Sequence, residues 1–441
     1  MSSRRLATGL GLELSVAAVD CDASVTLTKG SAHILGVPLT LRDANVIEVG
    51  SGAAVVGTSP DTEVEISWTS RSASAVVTSI DVNDTTPDEV HAILQDARAT
   101  AQGRRDATRS TAPPSSAVGQ SQASQIMGPV CFIVGEADKG KSTLCKGLVN
   151  RLVTSAPRSG AGDTFRPGVA FVDIDIGQSA FMPGAIATAF VEDALPLEGG
   201  GFAQCVPLTF FYGDKSVAPR TVDRYLDLVA LTQAACAETA ASSPKFRYGG
   251  VIVNTMGWVT GLGLDILRQA VDIMRATHIV AVEASPELAE TLTQWSRVYS
   301  VRGLCGVHAR RNGRIPPRST TARTVSRSRT GARFFTGVRT LPFQPARLLV
   351  NLADIVLLDA VSCEPLPALA LKPLMLVAVS HALDVSGTAF ANVAGFVVIL
   401  EIGYTSLVLL APCSGPLPSR FLLVSSNVKL SQDNVPPLTA P

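Results

Sequence analysis

The sequence has few aromatic residues and no net charge. Phe, Trp and Tyr together make up 5% of the 441 residues, although 46% of the residues are hydrophobic. The 37 basic side chains are matched by 37 acidic ones, so the overall charge does not indicate a nucleic-acid partner and local charge must be considered instead. A chain of this length can form two or three domains.

The sequence also lacks the patterns of zinc sites, redox motifs and export signals. Its eight cysteines include no C-x-x-C pair and no Cys/His cluster with zinc spacing, and such scattered thiols indicate a reducing compartment. The residues after Arg4 and Arg5 lack the long apolar core of a secretory signal. None of the five histidines lies beside a motif, so we assign them no chemical role.

One apolar stretch, from Val393 to Leu410, is long enough to suggest a membrane span. Glu401, Gly403 and Thr405 interrupt it with polar and flexible positions. We therefore predict two buried strands joined by a turn, and no membrane contact.

The most informative stretch matches the phosphate-loop pattern G-x-x-x-x-G-K-[ST]. An apolar run at 130–134 precedes it and an amphipathic stretch at 144–153 follows it, which is the strand, loop and helix context that the motif requires. Loop amides and a helix N-terminus bind phosphate, Lys141 can reach the β/γ-phosphates and Ser142 can ligate Mg²⁺. The alternative is an ordinary glycine-rich turn. The predicted nucleotide-binding residues are Gly135, Glu136, Ala137, Asp138, Lys139, Gly140, Lys141, Ser142 and Thr143.

Two carboxylates, Asp173 and Asp175, follow a second apolar run. Because residues i and i+2 of a strand point to the same face, we expect both carboxylates on one side of the sheet. One could hold Mg²⁺ directly or through water. The other could accept a proton from an attacking hydroxyl. The alternative is a pair of strand-end acids that cap the next turn.

A third apolar run ends in the sequence N-T-M-G-W-V at 254–259. Thr255 and the glycine after it could contact the phosphate loop. Trp258 offers a ring on which a base could stack, and the alternative for this side chain is core packing.

Residues 308–333 contain eight arginines and no acid. Arg323 and Arg327 are four residues apart and would share one face of a helix. Guanidinium groups neutralise the charge of a phosphoryl group and bind nucleic-acid phosphates. The alternative is a disordered basic linker or a nuclear localisation run.

Strand and helix patterns alternate through the middle of the chain. The strand patterns lie at 130–134, 169–174, 206–212, 250–254 and 278–283, and the helix patterns at 141–153, 222–240, 264–275 and 286–297. This alternation predicts an α/β fold of the P-loop NTPase class, with a doubly wound, mostly parallel sheet. Ligands of such sheets bind at the carboxyl ends of the strands.

The flanking regions have different patterns. Short alternating runs at 9–82 predict a small antiparallel sandwich or barrel, and apolar runs after 345 predict a second, mostly β domain. A helix should start at Thr86 and fade near Arg105, before a flexible linker at 106–127. The predicted boundaries are 1–85 for the N-terminal β-domain, 86–128 for the helix and linker, 129–340 for the P-loop domain with a lid at 308–333, and 341–441 for the C-terminal domain.

Taken together, the motifs resemble those of the polynucleotide 5′-hydroxyl kinases of RNA processing. The stretch at 135–143 is similar to the family's phosphate loop, and the one at 173–178, with Pro183-Gly184, to its D-x-D-x-G-Q…P-G signature. Residues 254–263 resemble its N-T-x-G-W-V-x-G-x-G clasp, and Arg323-x-x-x-Arg327 before Phe334-Phe335 resembles its lid. Further likenesses lie at 30–37, 211–216 and 395–410, and the lid is the loosest match. Asp223-Arg224-Tyr225 and the run at 261–265 favour the pre-ribosomal-RNA branch over the pre-mRNA cleavage-factor/tRNA-splicing branch.

The resemblance implies transfer of the γ-phosphate of ATP to the 5′-hydroxyl of an RNA end, with ATP and Mg²⁺ as cofactors. Asp175 would be the base on that hydroxyl. The residues implied in catalysis are Lys141, Asp175, Arg323 and Arg327. Those implied in metal binding are Ser142 and Asp173, and those implied in clasping the loop and orienting substrate are Thr255 and Trp258.

Two other functions are compatible with the same motifs. The chain could be an ATP-binding scaffold of an RNA cleavage complex with little or no turnover, or a nucleotide-switched assembly factor. Because the family works beside an endonuclease that generates 5′-hydroxyl ends, the resemblance implies such a nuclease as partner. It also implies location in the nucleus, specifically the nucleolus.

Overall fold

The computed structural model describes most of the chain, with gaps at several loops and at both ends. The described residues are 2–7, 11–16, 22–48, 53–57, 62–68, 75–80, 86–111, 128–155, 167–197, 201–202, 205–298, 303–307, 320–338, 341–432 and 435.

The N-terminal region forms two antiparallel sheets, as the alternating pattern predicts. Alternate residues such as Val25, Leu27 and Val64 are buried, because successive side chains of a strand point to opposite faces. The sheet orders are β1-β8-β3-β6 and β5-β4-β7-β2-β9. The strands are β1 (Ser2–Ala7), β2 (Gly11–Val16), β3 (Asp22–Lys29), β4 (Ala32–Ile34), β5 (Val37–Pro38), β6 (Ala44–Glu48), β7 (Ala53–Gly57), β8 (Glu63–Trp68) and β9 (Ala75–Ile80).

Helix α1 (Thr86–Thr111) begins where its capping pattern predicts but continues past Arg105. The prediction of its end was wrong because Ala and Arg favour helix, and one weak position, Gly103, does not stop it. Residues 112–127 of the predicted linker lie outside the described residues. Val90 and Leu94 of this helix are buried against the P-loop domain.

The P-loop domain contains a seven-stranded sheet in the order β13-β12-β11-β14-β10-β15-β16. All neighbours pair in parallel except β12, which runs antiparallel to both of its partners. The predicted mostly parallel sheet is therefore confirmed. The strands are β10 (Val130–Val134), β11 (Val169–Asp173), β12 (Ala185–Val191), β13 (Leu208–Phe211), β14 (Val251–Asn254), β15 (His278–Val282) and β16 (Gly303–Val307).

Helices cover both faces of this sheet. Along the central strand β10, Phe132 faces one core and Ile133 faces the other, as a doubly wound sheet requires. The helices of this domain are α2 (Lys141–Thr154), α3 (Val222–Ser242), α4 (Pro244–Gly249), α5 (Leu262–Ile273), α6 (Pro286–Val298) and α7 (Thr320–Thr336). Core residues from α3 and α5 lie on one face, and those from α1 and α2 on the other.

The C-terminal domain is a six-stranded sheet in the order β19-β23-β22-β21-β24-β20. The stretch from Val393 to Leu410 forms two strands joined by a turn, as predicted, and among the described helices none has the length and apolar content needed to cross a membrane. The strands that follow α7 are β17 (Gly337–Val338), β18 (Leu341–Pro342), β19 (Ala346–Asn351), β20 (Val356–Asp359), β21 (Met375–Ser380), β22 (Val393–Ile402), β23 (Ser406–Ala411) and β24 (Phe421–Lys429).

One side chain ties three parts of the fold together. Asn150, buried near the end of α2, donates from Nδ2 to the carbonyl of Leu35 over 3.0 Å. Its Oδ1 accepts a hydrogen bond from the backbone amide of Leu195 over 2.8 Å. The turn after β4, the helix after the phosphate loop and the segment after β12 therefore meet at one amide.

Candidate active site

The phosphate-loop motif lies between β10 and α2, in the strand, loop and helix context that it requires. Asp138 and Gly140 both have left-handed backbone, with φ values of 63° and 90°. A Cβ on Gly135 would lie 2.4 Å from the carbonyl oxygen of Val282 on the neighbouring strand, so only glycine fits there. Gly140, by contrast, faces open space, which leaves the mouth of the loop accessible.

Lys141, the first residue of α2, is buried within this loop and 6% exposed. Its Nζ donates to the carbonyl of Glu136 over 2.8 Å. Burial lowers the pKa of Lys141, and the nearby carboxylate of Asp175 opposes that change. The ammonium group is therefore held at the loop, beside the predicted base.

Asp173 ends strand β11 and is fully buried. Its Oδ1 accepts hydrogen bonds from the backbone amide of Asp175 at 3.1 Å and from Asn254 Nδ2 at 2.9 Å, and its Oδ2 accepts from the amide of Ala180 at 2.6 Å. Burial, and then the charge of Asp175, raise the pKa of Asp173 to about 7, although these hydrogen bonds lower it. Protein donors occupy three of the roughly four lone-pair sites of this carboxylate, so Asp173 has little capacity left to ligate a metal ion directly and would support it through its neighbours or through water.

Asn254 connects Asp173 to the predicted metal ligand and was not among the predicted site residues. It is buried at the end of β14, and its Oδ1 lies 3.5 Å from Ser142 Oγ and 3.8 Å from Cys145 Sγ. The signal available in the sequence was its position beside Thr255 at the carboxyl end of a central strand, since such ends converge at one edge of the sheet.

Asp175 does not extend the strand, so the expectation of two carboxylates on one strand face was wrong. Strand β11 ends at Asp173, whose carboxylate accepts the amide of Asp175, and the chain turns at Ile176-Gly177. Asp175 Oδ1 in turn accepts the amides of Gly177 and Gln178, both at 3.0 Å. Among the described residues, Asp175 Oδ2 has no hydrogen-bond donor.

The charges around Asp175 favour its ionised form. Burial raises the pKa of Asp175, and the charges of Lys141 and Arg327, together with the two amide hydrogen bonds, oppose the increase. The predicted base therefore has one unengaged oxygen and lies near two cations from different elements. This is the arrangement expected of a group that receives a proton next to a transferring phosphoryl group.

The turn after β14 contacts the phosphate loop through Gly257, as predicted, whereas Thr255 contacts the strand before the loop. Thr255 is buried, and its Oγ1 donates to the carbonyl of Ile133 over 2.8 Å. A Cβ on Gly257 would lie 2.6 Å from the backbone nitrogen of Ala137, so the two turns touch backbone to backbone. The turn thus supports the loop from one side.

Trp258 is 39% exposed and is not a core residue. Its ring packs closely on the backbone of Gly263, where a Cβ would lie 2.3 Å from Trp258 Cγ. The rest of the ring is available to solvent, which fits stacking with a base better than the core-packing alternative.

The two lid arginines lie on one helix, α7, but have different partners. Arg323 Nη2 forms an ion pair with Asp138 Oδ2 of the phosphate loop at 2.7 Å. Arg327 Nη2 donates to Thr324 Oγ1 at 3.1 Å. Burial, and then the charge of Arg323, lower the pKa of Arg327, and the charge of Asp175 opposes this. For residues 320–336 the disordered-linker alternative was wrong, whereas residues 308–319 lie outside the described residues.

The stretch at 211–216 and the sequence at 223–225 join two domains. Arg224 donates to the carbonyls of Ala360 at 2.8 Å, Phe211 at 3.3 Å and Ala389 at 3.2 Å. Ser425 Oγ donates to the carbonyl of Gly213 over 2.6 Å. These residues therefore hold the C-terminal domain against the P-loop domain.

The residues present fit a nucleotide with its metal ion. The loop has an open mouth, a buried lysine and a helix N-terminus, which together suit a polyphosphate. Among the described residues no cluster of three His, Cys, Asp or Glu side chains could hold a metal ion. Ser142 is exposed at the start of α2, and a hydroxyl oxygen suits Mg²⁺, whose remaining ligands are ordinarily phosphate oxygens and water.

Comparison with known proteins identifies the family. The family model described as mRNA cleavage and polyadenylation factor CLP1 P-loop matches residues 135–337. A CLP1 homolog from Arabidopsis thaliana is 30% identical over 365 residues, which cover 76% of this chain and 75% of that protein. The chain belongs to the CLP1 family. A CLP1 homolog from Brugia malayi is 27% identical over 446 residues, covering 94% of this chain and 93% of that protein.

A solved CLP1 structure has the same fold. The wild-type Clp1p–Pcf11p complex matches with a TM-score of 0.76 at 15% identity, and the match covers 98% of each chain. The predicted fold class, a P-loop domain flanked by an N-terminal and a C-terminal β-domain, is thereby confirmed, and the CLP1 P-loop implies ATP binding. The preference for the pre-ribosomal-RNA branch has no support from these CLP1 matches.

Proposed function

We propose that this CLP1-family chain is an ATP-dependent polynucleotide kinase that phosphorylates the 5′-hydroxyl end of RNA. The observation that carries the proposal is the position of Asp175. Its Oδ2 has no donor among the described residues, and the charges of Lys141 and Arg327 oppose the increase in its pKa that burial causes. A base next to two cations at a phosphate loop suits phosphoryl transfer to a hydroxyl.

The side chains have separate tasks in this mechanism. When bound, ATP with Mg²⁺ supplies the phosphoryl group and part of the charge neutralisation. Lys141 and the amides of the loop hold the β/γ-phosphates, and Ser142, oriented by Asn254, offers its hydroxyl oxygen to the metal ion. Asp175 accepts the proton of the 5′-hydroxyl at Oδ2. The lid then places arginine charge over the transferring group.

The substrate end would lie between Asp175 and Trp258. The exposed Trp258 ring suits a terminal base because every base has a face that can stack, whatever the sequence. We therefore expect the chain to accept RNA ends of many sequences, and Thr255 to act by supporting the loop and not by contacting RNA.

A second candidate is a scaffold that binds ATP and turns it over slowly. The observation that favours it is the ion pair between Arg323 and Asp138, because this pair holds one lid arginine at the phosphate loop and not at Asp175.

The matched Clp1p structure is a complex with Pcf11p. We also propose that this chain joins an RNA cleavage complex and acts in the nucleus. Its partner in that complex would be an endonuclease.

Phosphate transfer to RNA separates the two candidates. Purified chain is incubated with γ-labelled ATP, Mg²⁺ and a short 5′-hydroxyl RNA, and the same RNA with a 5′-phosphate is the acceptor control. We expect label on the 5′-hydroxyl RNA alone, and none with Lys141→Ala. ATP binding without label transfer would favour the scaffold, and hydrolysis that needs no RNA would favour a nucleotide switch. A tagged chain that stays outside the nucleus would contradict the proposed location.

A further inference from the structure

The lid helix α7 is anchored at its base in the C-terminal domain. Phe335 is fully buried and belongs to that domain's core. Ser328 Oγ accepts the amide of Ser431 over 3.1 Å, and a Cβ on Gly331 would lie 3.2 Å from Leu430 Cδ1. The second half of the helix is therefore packed against the C-terminal domain, in a core that also includes Met182, Ala185 and Phe211 of the P-loop domain.

An ion pair between Arg323 and Asp138 joins the first half of α7 to the P-loop domain. The two side chains are 36% and 16% exposed, so the pair is partly shielded from water and stronger than a typical surface pair. Asp138 has a φ of 63°, a left-handed conformation that few residues other than glycine adopt, although Asp and Asn tolerate it. The loop thus presents this carboxylate to the lid.

Arg327 lies one helical turn further along α7 and has a different hydrogen-bond partner from Arg323. Its hydrogen bond to Thr324 lies within the lid itself. Within the described part of the chain, no carboxylate lies within ion-pair distance of Arg327. Burial, and then the charge of Arg323, lower the pKa of Arg327, and the charge of Asp175 opposes that change. Its charge is therefore available to a group that arrives beside Asp175.

We propose that Asp138 and Arg323 form a latch that closes the lid over the phosphate loop, and that Arg327 is the arginine that contacts the transferring phosphoryl group. This inference rests on the proposed kinase function. In it, Asp138 and Arg323 are positioning residues, because they act by placing Arg327 and not by touching the phosphoryl group. The two lid arginines, which the motif does not distinguish, have different tasks.

Hydrogen exchange of the lid tests the latch without any catalysis. Amide exchange of residues 320–327 is measured in the chain without ATP, because exchange reports local opening. We expect faster exchange in Asp138→Asn and in Arg323→Ala, and a double variant no faster than either single one, since both break one interaction. Arg323→Lys should retain part of the protection. Thr321→Ala, which changes an exposed position on the same helix, is the matched control.

Steady-state kinetics test the division of tasks. We expect Asp138→Asn and Arg323→Ala each to lower kcat roughly tenfold, with no further loss in the double variant. Arg327→Ala should cost on the order of 10³-fold or more. An Arg323→Ala loss as large as that of Arg327→Ala, with Asp138→Asn at the wild-type rate, would overturn the proposal. If the wild-type chain transfers no phosphate, the kinase proposal fails, and the exchange measurement still decides whether the latch exists.

Discussion

Asn254 and Asp173, directly paired in register on adjacent parallel strands, are joined by a 2.9 Å hydrogen bond from Asn254 Nδ2 to Asp173 Oδ1. Through its other amide atom, Asn254 Oδ1, the same side chain faces Ser142 Oγ. A buried aspartate thereby orients the Ser142 hydroxyl, the predicted metal ligand, through an intervening amide. This arrangement is of the kind that fixes metal ligands in other proteins, where the outer partners orient the inner ones.

Replacing Asn254 with Ala should affect stability and catalysis together. Asp173 would lose a buried donor, which costs about 1–3 kcal/mol of unfolding free energy, and Ser142 would lose its orienting acceptor. We expect a lower denaturation midpoint in urea and roughly a tenfold lower kcat. Asn351→Ala, at an exposed position, should change neither quantity. Unchanged kinetics in the Asn254 variant would remove this residue from the site.

Acidification should destabilise the contact between the N-terminal domain and α2. Burial, and then the charge of Arg151, lower the pKa of both His33 and His91 in the folded chain. Below the unfolded pKa of about 6.5, the unfolded state binds more protons, so the unfolding free energy falls as pH falls. The stabilising contribution is present above that pH.

Urea unfolding between about pH 7 and about pH 5 measures this dependence. The double variant His33→Gln, His91→Gln should lose stability less steeply than the wild type over the same range. Parallel curves for the two proteins would mean that these histidines do not set the acid sensitivity of the fold.

Gly257→Ala should weaken ATP binding. The added Cβ would lie 2.6 Å from the backbone of Ala137, so the clasp or the phosphate loop must shift. We expect a higher Kd for ATP by calorimetry with little loss of helix content. Gly103→Ala is the matched control, because nothing lies within 4 Å of its Cβ; it should leave the Kd unchanged and add up to about 1 kcal/mol of stability.

Arg224→Ala should loosen the C-terminal domain. Three carbonyl groups, including those of Ala360 and Ala389, would lose a charged donor, at a cost of about 1–3 kcal/mol. We expect faster amide exchange and proteolysis at the junction. Arg220→Ala, an exposed position on the same segment, should behave as wild type, and equal effects of the two variants would show that the loss of charge alone is responsible.

Trp258→Ala should act on RNA and not on ATP. The loss of one stacked base costs about 1–3 kcal/mol, so the KM for RNA should rise roughly tenfold or more, whereas the KM for ATP stays the same. Trp258→Phe retains a ring and should recover most of the affinity. A change in the KM for ATP alone would assign the ring to nucleotide binding instead.

Sequence patterns predicted the central strands and helices because buried parallel strands are continuous apolar runs. They missed β12, whose alternate positions are Ala185, Ala187 and Ala189, because alanine favours helix over strand. They also missed the short helix α4 and strand β16, the latter containing two glycines.

The sequence motifs predicted which residues lie at the candidate site. They did not predict which residues from distant segments contact each other. The ion pair between Arg323 and Asp138 joins residues 185 positions apart, and Asn254 lies 81 positions from Asp173. Such pairs depend on which loop faces which helix after folding, so they cannot be predicted from periodicity along the chain. The roles of the individual site residues stay predictions.

The three-way contact of Asn150 bears on how this molecule can be divided. Cutting the chain between the β-rich N-terminus and the P-loop domain would leave an amide without its partner at the end of the helix that begins the nucleotide site. We therefore expect that a fragment without the N-terminal region would not keep this helix in the same place. The N-terminal β-rich region, which its sequence suggests is accessory, therefore helps to position the helix that follows the phosphate loop.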